Sequence, residues 1–146
     1  MKTKLYLPLI TLCILLGCKK DKTVKQPFIT GKYVGTFNYT VAGKTEVAPA
    51  QVIFGPTNYT SIGQPNKKPA GGSGTYTFNT DSFLFTDTHP WTADFDWGLI
   101  LKGNFDYEVK GDSLILTRWV QTNAGGINFI LTDYKYRLKR VSNTEY

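Results

Sequence analysis

Two cysteines, one histidine and one methionine are all that 146 residues contain, and the scarcity excludes much chemistry. Cys13 and Cys18 lie close together near the N-terminus, so neither a disulfide framework nor a zinc ligand spacing is present. His89 is the lone imidazole, and no Ser or Cys motif offers it a nucleophile to activate. The run Gly71-Gly72-Ser73-Gly74 lacks the strand-to-helix setting that a phosphate-cradling loop requires. Beyond the first 16 residues there is no long apolar run and no window with a 3.6-residue apolar period, so no helix of more than a turn or two is expected. Basic residues outnumber acidic ones 17 to 11, but the surplus is scattered and makes no case for a nucleic-acid partner.

What is present begins with an export signal. Lys2 and Lys4 precede the apolar run Leu5 to Leu16, and Gly17 is a small residue before Cys18. The run is too short to cross a hydrocarbon core of ~30 Å as a stable helix. Leu15-Leu16-Gly17-Cys18 resembles the lipobox of bacterial lipoproteins, which implies cleavage before Cys18 and acylation of its thiol with palmitate-type chains. Residues 1–17 are then a signal peptide, 18–27 a lipidated cysteine with a polar, lysine-rich tether, and 28–146 a single domain. Each buried CH₂ contributes about 0.8 kcal/mol, so several acyl chains hold such a protein firmly on a bilayer. The implied address is the bacterial cell envelope, on the periplasmic or surface face of the outer membrane. Lys20-Asp21 behind the cysteine resembles surface-export signals of Bacteroidetes-type lipoproteins.

The domain itself is rich in aromatics, with nine Tyr, nine Phe and three Trp, which suit pleated surfaces. The clearest alternation lies between Trp97 and Trp119, read as three antiparallel strands joined by tight turns. Phe105, Tyr107 and Val109 share one side there, and Asp106, Glu108 and Lys110 the other. A two-residue turn at Gly111-Asp112 pairs Val109 with Leu114 and Tyr107 with Leu116. A three-residue or bulged turn at Lys102–Asn104 pairs Leu101 with Phe105 and Leu99 with Tyr107, keeping all of them inward. Arg118 continues that face to the rim, where its charge reaches water.

Elsewhere, Tyr33, Gly35, Phe37, Tyr39 and Val41 share one face of a first strand, with Gly35 marking a bend or close backbone approach. Residues 43–49 read as a polar connection, 50–54 and Asn58–Ile62 as strands, and 63–74 as a mobile loop with Lys67 and Lys68 solvated. Residues 75–87 read as a hairpin around Asn79-Thr80-Asp81. After Val120 comes a loop, then a last strand with Ile130, Thr132, Tyr134, Tyr136 and Leu138 on one side. About eight or nine sequential strands favour an all-β, antiparallel up-and-down β-barrel over a sandwich, because closure removes exposed edges and the strongest hairpins are consecutive.

Gly31-Lys32-Tyr33 resembles the Gly-x-Trp start of lipocalin-type barrels, with Tyr in place of Trp. The run from Gly103 to Leu116 and the basic-aromatic last strand are similar to small lipocalin-like lipoproteins of Bacteroidetes-type bacteria. The resemblance implies an eight-stranded calycin-like barrel around a small apolar ligand, with Arg118 or Arg137 packed over the first-strand aromatic.

Two function classes follow. In one, a non-catalytic binding module receives a small apolar ligand in a cavity lined by Tyr33, Phe37, Leu99, Leu101, Phe105, Tyr107, Val109, Leu114, Leu116, Tyr134 and Tyr136. In the other, a filled barrel presents loops to a surface partner or glycan, with His89 and Trp91 making contact. Trp97 and Trp119 are assigned to the core or barrel ends. The loop from Asp87 to Trp97 reads as a solvated connection with an aromatic anchor that could cover one mouth. Its Asp87, Asp94 and Asp96 lack a calcium-loop spacing. No cofactor, metal or catalytic group is assigned, and the protein is expected to be a monomer that contacts the membrane through Cys18.

Overall fold

The computed structural model describes residues 29–123 and 129–142; the signal segment, Cys18 and the tether lie outside them. Eight strands follow one another: β1 (Gly31–Val41), β2 (Lys44–Phe54), β3 (Asn58–Ile62), β4 (Gly72–Phe78), β5 (Ser82–Asp87), β6 (Gly103–Lys110), β7 (Ser113–Asn123) and β8 (Phe129–Ser142). Each pairs antiparallel with the next, and β8 returns to β1 to close the barrel. Period-two alternation gives most strands an inward apolar face, and closing the sheet of antiparallel neighbours on itself keeps those faces dry without exposed edges.

Small residues set the turns. Ala42 and Gly43 both take positive φ (49° and 79°) between β1 and β2, the geometry of a two-residue hairpin. The strands therefore run straight through the expected connection at 43–49, and Pro49 faces Thr36 within the ladder. The β4–β5 turn is held by Asn79, whose Oδ1 accepts from the backbone N of Asp81 and of Ser82. At Gly111 (φ 57°) the two-residue turn pairs Val109 with Leu114 and Tyr107 with Leu116, as expected. β7 continues through Asn123 rather than ending at Val120.

The central stretch departs from expectation at its start. Trp97–Leu99 is a single 3-10 turn, not a strand, capped by Asp96, whose Oδ1 accepts from Gly98 N at 2.7 Å. Leu99, Ile100 and Leu101 are all buried, so this segment has no exposed face and does not alternate. It lies against residues 70 and 71: Ala70 N donates to Leu99 O and Leu101 N to Gly71 O. Phe105 consequently faces Phe83 across β5–β6, not Leu101. Leu99 and Leu101 do lie inside, by plugging one end of the barrel instead of lining a strand.

Inside, aromatic rings pack on one another. The Phe54 ring meets Tyr33 and Tyr76 edge-on, both at 5.5 Å between centroids, and Phe85 meets Tyr59 at 4.9 Å. Such contacts add about 0.5–1.5 kcal/mol each beyond area burial. Gly35 supplies the predicted close approach, because a methyl group there would lie 1.9 Å from the Arg137 carbonyl oxygen.

Candidate functional site: a cleft at the loop-rich end

The antiparallel order sends the β2–β3, β4–β5 and β6–β7 turns to one end of the barrel. The β1–β2 turn and the long segments 63–71 and 88–102 lie at the other. Only the second end has enough chain between strands to build a site.

The stretch 63–74, expected to be a mobile loop, is instead pinned over 63–71 and belongs to a strand from Gly72. Gln64 N donates to Pro69 O, Lys67 N to Gln64 O, and Ala70 and Gly71 join the plug. β4 already begins at Gly72. Lys68 is not merely solvated: its ammonium pairs with Glu46 at 2.8 Å and lies 5.6 Å over the Tyr39 ring. Lys67 takes a left-handed φ of 60°, uncommon for a long side chain.

The second loop is anchored by Asp87 at the end of β5. One carboxylate oxygen accepts from Ser73 N at 2.9 Å and the other from Trp91 Nε1 at 2.6 Å. Thr88 N also donates to Ser73 O. Trp91 is thereby fixed, with the His89 ring at 4.7 Å and Phe95 at 5.4 Å, both edge-on. Between the two loops and the outer surface of β3–β4 lies an open cleft of about 290 Å³. Its floor carries Thr60 and Ser73, which face each other across the strand pair. His89 and Trp91 line it, as do Ile62 and Lys67. The two loop residues singled out in the sequence thus meet in one place. Thr60, Ser73 and Lys67 are additions that no linear pattern marks, because they come from three different segments.

The acidic residues of the same loop work separately. Asp87 and Asp96 hold backbone and indole N–H groups as described. Asp94 accepts from the Thr92 hydroxyl, which, followed by a backbone hydrogen bond and the Lys67 charge, keeps its carboxyl below the usual carboxylate range. Among the described residues no three His, Cys, Asp or Glu side chains gather as a metal would need.

The eleven cavity candidates are distributed differently. Nine of them are buried in the core: Tyr33, Phe37, Leu99, Leu101, Phe105, Leu114, Leu116, Tyr134 and Tyr136. They pack against one another or against neighbouring rings; the Phe37 ring lies 4.7 Å from Tyr136 and the Phe105 ring 5.7 Å from Phe85. Tyr107 is half-buried, its hydroxyl donating to Asn79 O. Val109 is exposed (38 %), contrary to expectation, because β5 pairs with β6 only as far as Asp106 and leaves the end of β6 beyond the ladder. Trp97 (46 %) and Trp119 (56 %) are also exposed rather than core residues. Trp97 rides on the plug with Lys102 over its ring at 4.7 Å, and Trp119 points outward because Arg118, its neighbour in the strand, points in.

Arg118 does not reach water at the rim. Its guanidinium lies 4.4 Å from the centre of the Tyr134 ring and 5.0 Å from that of Phe105. It donates to Lys102 O and to Gly98 O, both at 2.5 Å, tying the plug to the barrel from either side. Burial lowers its pKa. Neither Arg118 nor the exposed Arg137 packs over Tyr33. The cation that acts on Tyr33 is Arg140, its partner in the β1–β8 ladder. Deeper in, the Tyr136 hydroxyl and Ser61 Oγ are fully buried without a hydrogen-bond partner of ordinary geometry, as is Arg118 Nε. Ser61 lies near enough to ease Tyr136 ionisation slightly, but desolvation dominates and pushes that phenol well up.

Comparison of the chain with protein-family models, with curated proteins and with solved structures finds no match.

Proposed function

We propose that this chain is a non-catalytic binding module of the bacterial cell envelope, a lipocalin-like lipoprotein whose filled barrel carries its site on the outside. The ligand is a glycan held in the cleft between segments 63–71 and 88–96. One observation supports this reading above others. The loop aromatics His89 and Trp91 converge with two hydroxyls and a cation in an open cleft, while the inward aromatics pack on each other. An eight-stranded barrel can be filled by side chains or hold one small ligand; here nine of the inward candidates are buried and pack on one another or on neighbouring rings.

Acylation at Cys18 fits the same picture. β1 starts at the end of the barrel opposite the cleft, so a lipidated tether reaching it from residues 18–27 leaves the cleft facing away from the bilayer. One barrel supplies the described lining of the cleft, so binding there requires no second copy of the chain.

A small apolar ligand inside the barrel is the second reading. Its support is a set of buried polar groups inside the barrel, Arg118 Nε without a hydrogen-bond partner and the Tyr136 hydroxyl with only Ser61 beside it, the kind of groups that orient a ligand in an apolar cavity. Native mass spectrometry of protein extracted from its own membrane, followed by binding assays on two variants, separates them. In the outer-cleft reading Trp91→Ala loses glycan binding and Tyr136→Phe keeps it. The reverse pattern, or a co-purifying apolar molecule lost in Tyr136→Phe, sinks the cleft.

A further inference from the structure

Resting on the glycan reading of the cleft, we infer that the sugar unit it takes is anionic, a pyranose bearing a carboxylate or sulfate. Trp91 presents only apolar ring to the cleft, because its single N–H is engaged by Asp87 behind it; a ring so fixed can cover the C–H face of a sugar. Thr60 and Ser73 stand side by side on the floor, and each hydroxyl both donates and accepts, which suits neighbouring sugar hydroxyls. The volume of about 290 Å³ is at the lower limit of ligand pockets, room for one small unit rather than a long chain segment.

Charge then selects among sugars. Among the described residues that line the cleft the one formal charge is that of Lys67; the Asp87 carboxylate lies behind the lining, spent on Ser73 N and Trp91 Nε1. The Lys67 ammonium lies 5.7 Å over the Phe95 ring and acts on Asp94 only from beyond ion-pair distance. Its backbone is locked by the Lys67 N to Gln64 O bond in a left-handed conformation that the turn imposes. Lysine is a poor choice for such a φ on conformational grounds, and an anion in the cleft would give the residue a role there. A ligand carboxylate or sulfate at that wall gains a charge-assisted contact that a neutral sugar lacks.

The test is calorimetric titration of the detergent-solubilised full chain with tetragalacturonate, with sulfated tetragalactose, and with plain tetragalactose. One or both anionic oligosaccharides should bind about tenfold more tightly than the neutral one, and the two anionic arms tell carboxylate from sulfate. Lys67→Gln should remove that preference while leaving residual neutral binding. His89→Ala, an exposed site whose loss leaves the core intact, should weaken all three. If the neutral sugar binds equally well and Lys67→Gln changes nothing, the anionic assignment is wrong while the glycan reading stands. If no oligosaccharide of either kind binds, both fall.

Discussion

At Gly35 the backbones of β1 and β8 leave no room for a side chain, since any Cβ would overlap the Arg137 carbonyl. Gly35→Ala should therefore force the ladder apart and lower stability by about 3 kcal/mol. Urea denaturation would show this as a fall in midpoint, and an unchanged midpoint would show the pairing to be looser than described. The position was legible in the sequence, where a glycine interrupts an otherwise aromatic strand face. Val109 was not legible in the same way. Its alternation places it inward, but whether an inward face is covered depends on how far the neighbouring strand extends, and β5 stops short.

The 3-10 segment is the element on which the loop-rich end depends. With the two residues after it the turn buries three successive apolar side chains, Leu99, Ile100 and Leu101, and Arg118, Tyr59 and residues 70–71 fasten the segment, the Tyr59 hydroxyl donating to Leu101 O at 2.5 Å. Arg118→Leu would remove two charge-assisted bonds and leave the Gly98 and Lys102 carbonyls without those donors, a cost of about 2–4 kcal/mol. Amide exchange should report the loss most strongly at Leu101, whose N–H bonds Gly71 O. If Leu101 stays as protected as in the parent protein, the guanidinium does not secure the plug. Trp97 to Leu101 reads as a strand because a short apolar run beside turn residues looks alike whether it is buried on one side or all round. Nothing in those five residues records that residues 70 and 71 will lie against them.

Over the whole barrel, closure buries phenols that a single sheet would leave wet. Burial, with a smaller contribution from Asp96, pushes the Tyr134 hydroxyl up to about 12 against the opposing pull of Arg118. Desolvation raises Tyr59 and Tyr136 further still. A raised folded pKa means that the folded state holds these protons more tightly than the unfolded chain does. The associated stability is intact below the ordinary tyrosine value of 10.0 and is lost as pH climbs through 10 toward 12. Alkaline unfolding should thus begin above pH 10, with the last tyrosinate absorbance appearing together with loss of the circular dichroism of the fold. Complete tyrosine ionisation near 10 with the fold intact would mean an open, hydrated interior.

The sequence by itself determined the all-β, sequential antiparallel character of the chain and the faces of most strands, though not the bounds of β2 and β7, the 97–101 run or the exposure of Val109. Alternation is a local property with a period of two, and the Gly111-Asp112 and Asn79–Asp81 turns set their registers from within a few residues. It also singled out His89 and Trp91, through composition alone. Only the tertiary structure decided that the 97–101 run is a plug, that Arg118 is stacked between rings, and that Lys67, Thr60 and Ser73 meet those aromatics. Those outcomes depend on where strands end and on which loops share one end of a closed barrel. Closure joins β1 to β8 across the whole chain, and a contact between segments so far apart leaves no periodic trace in either of them.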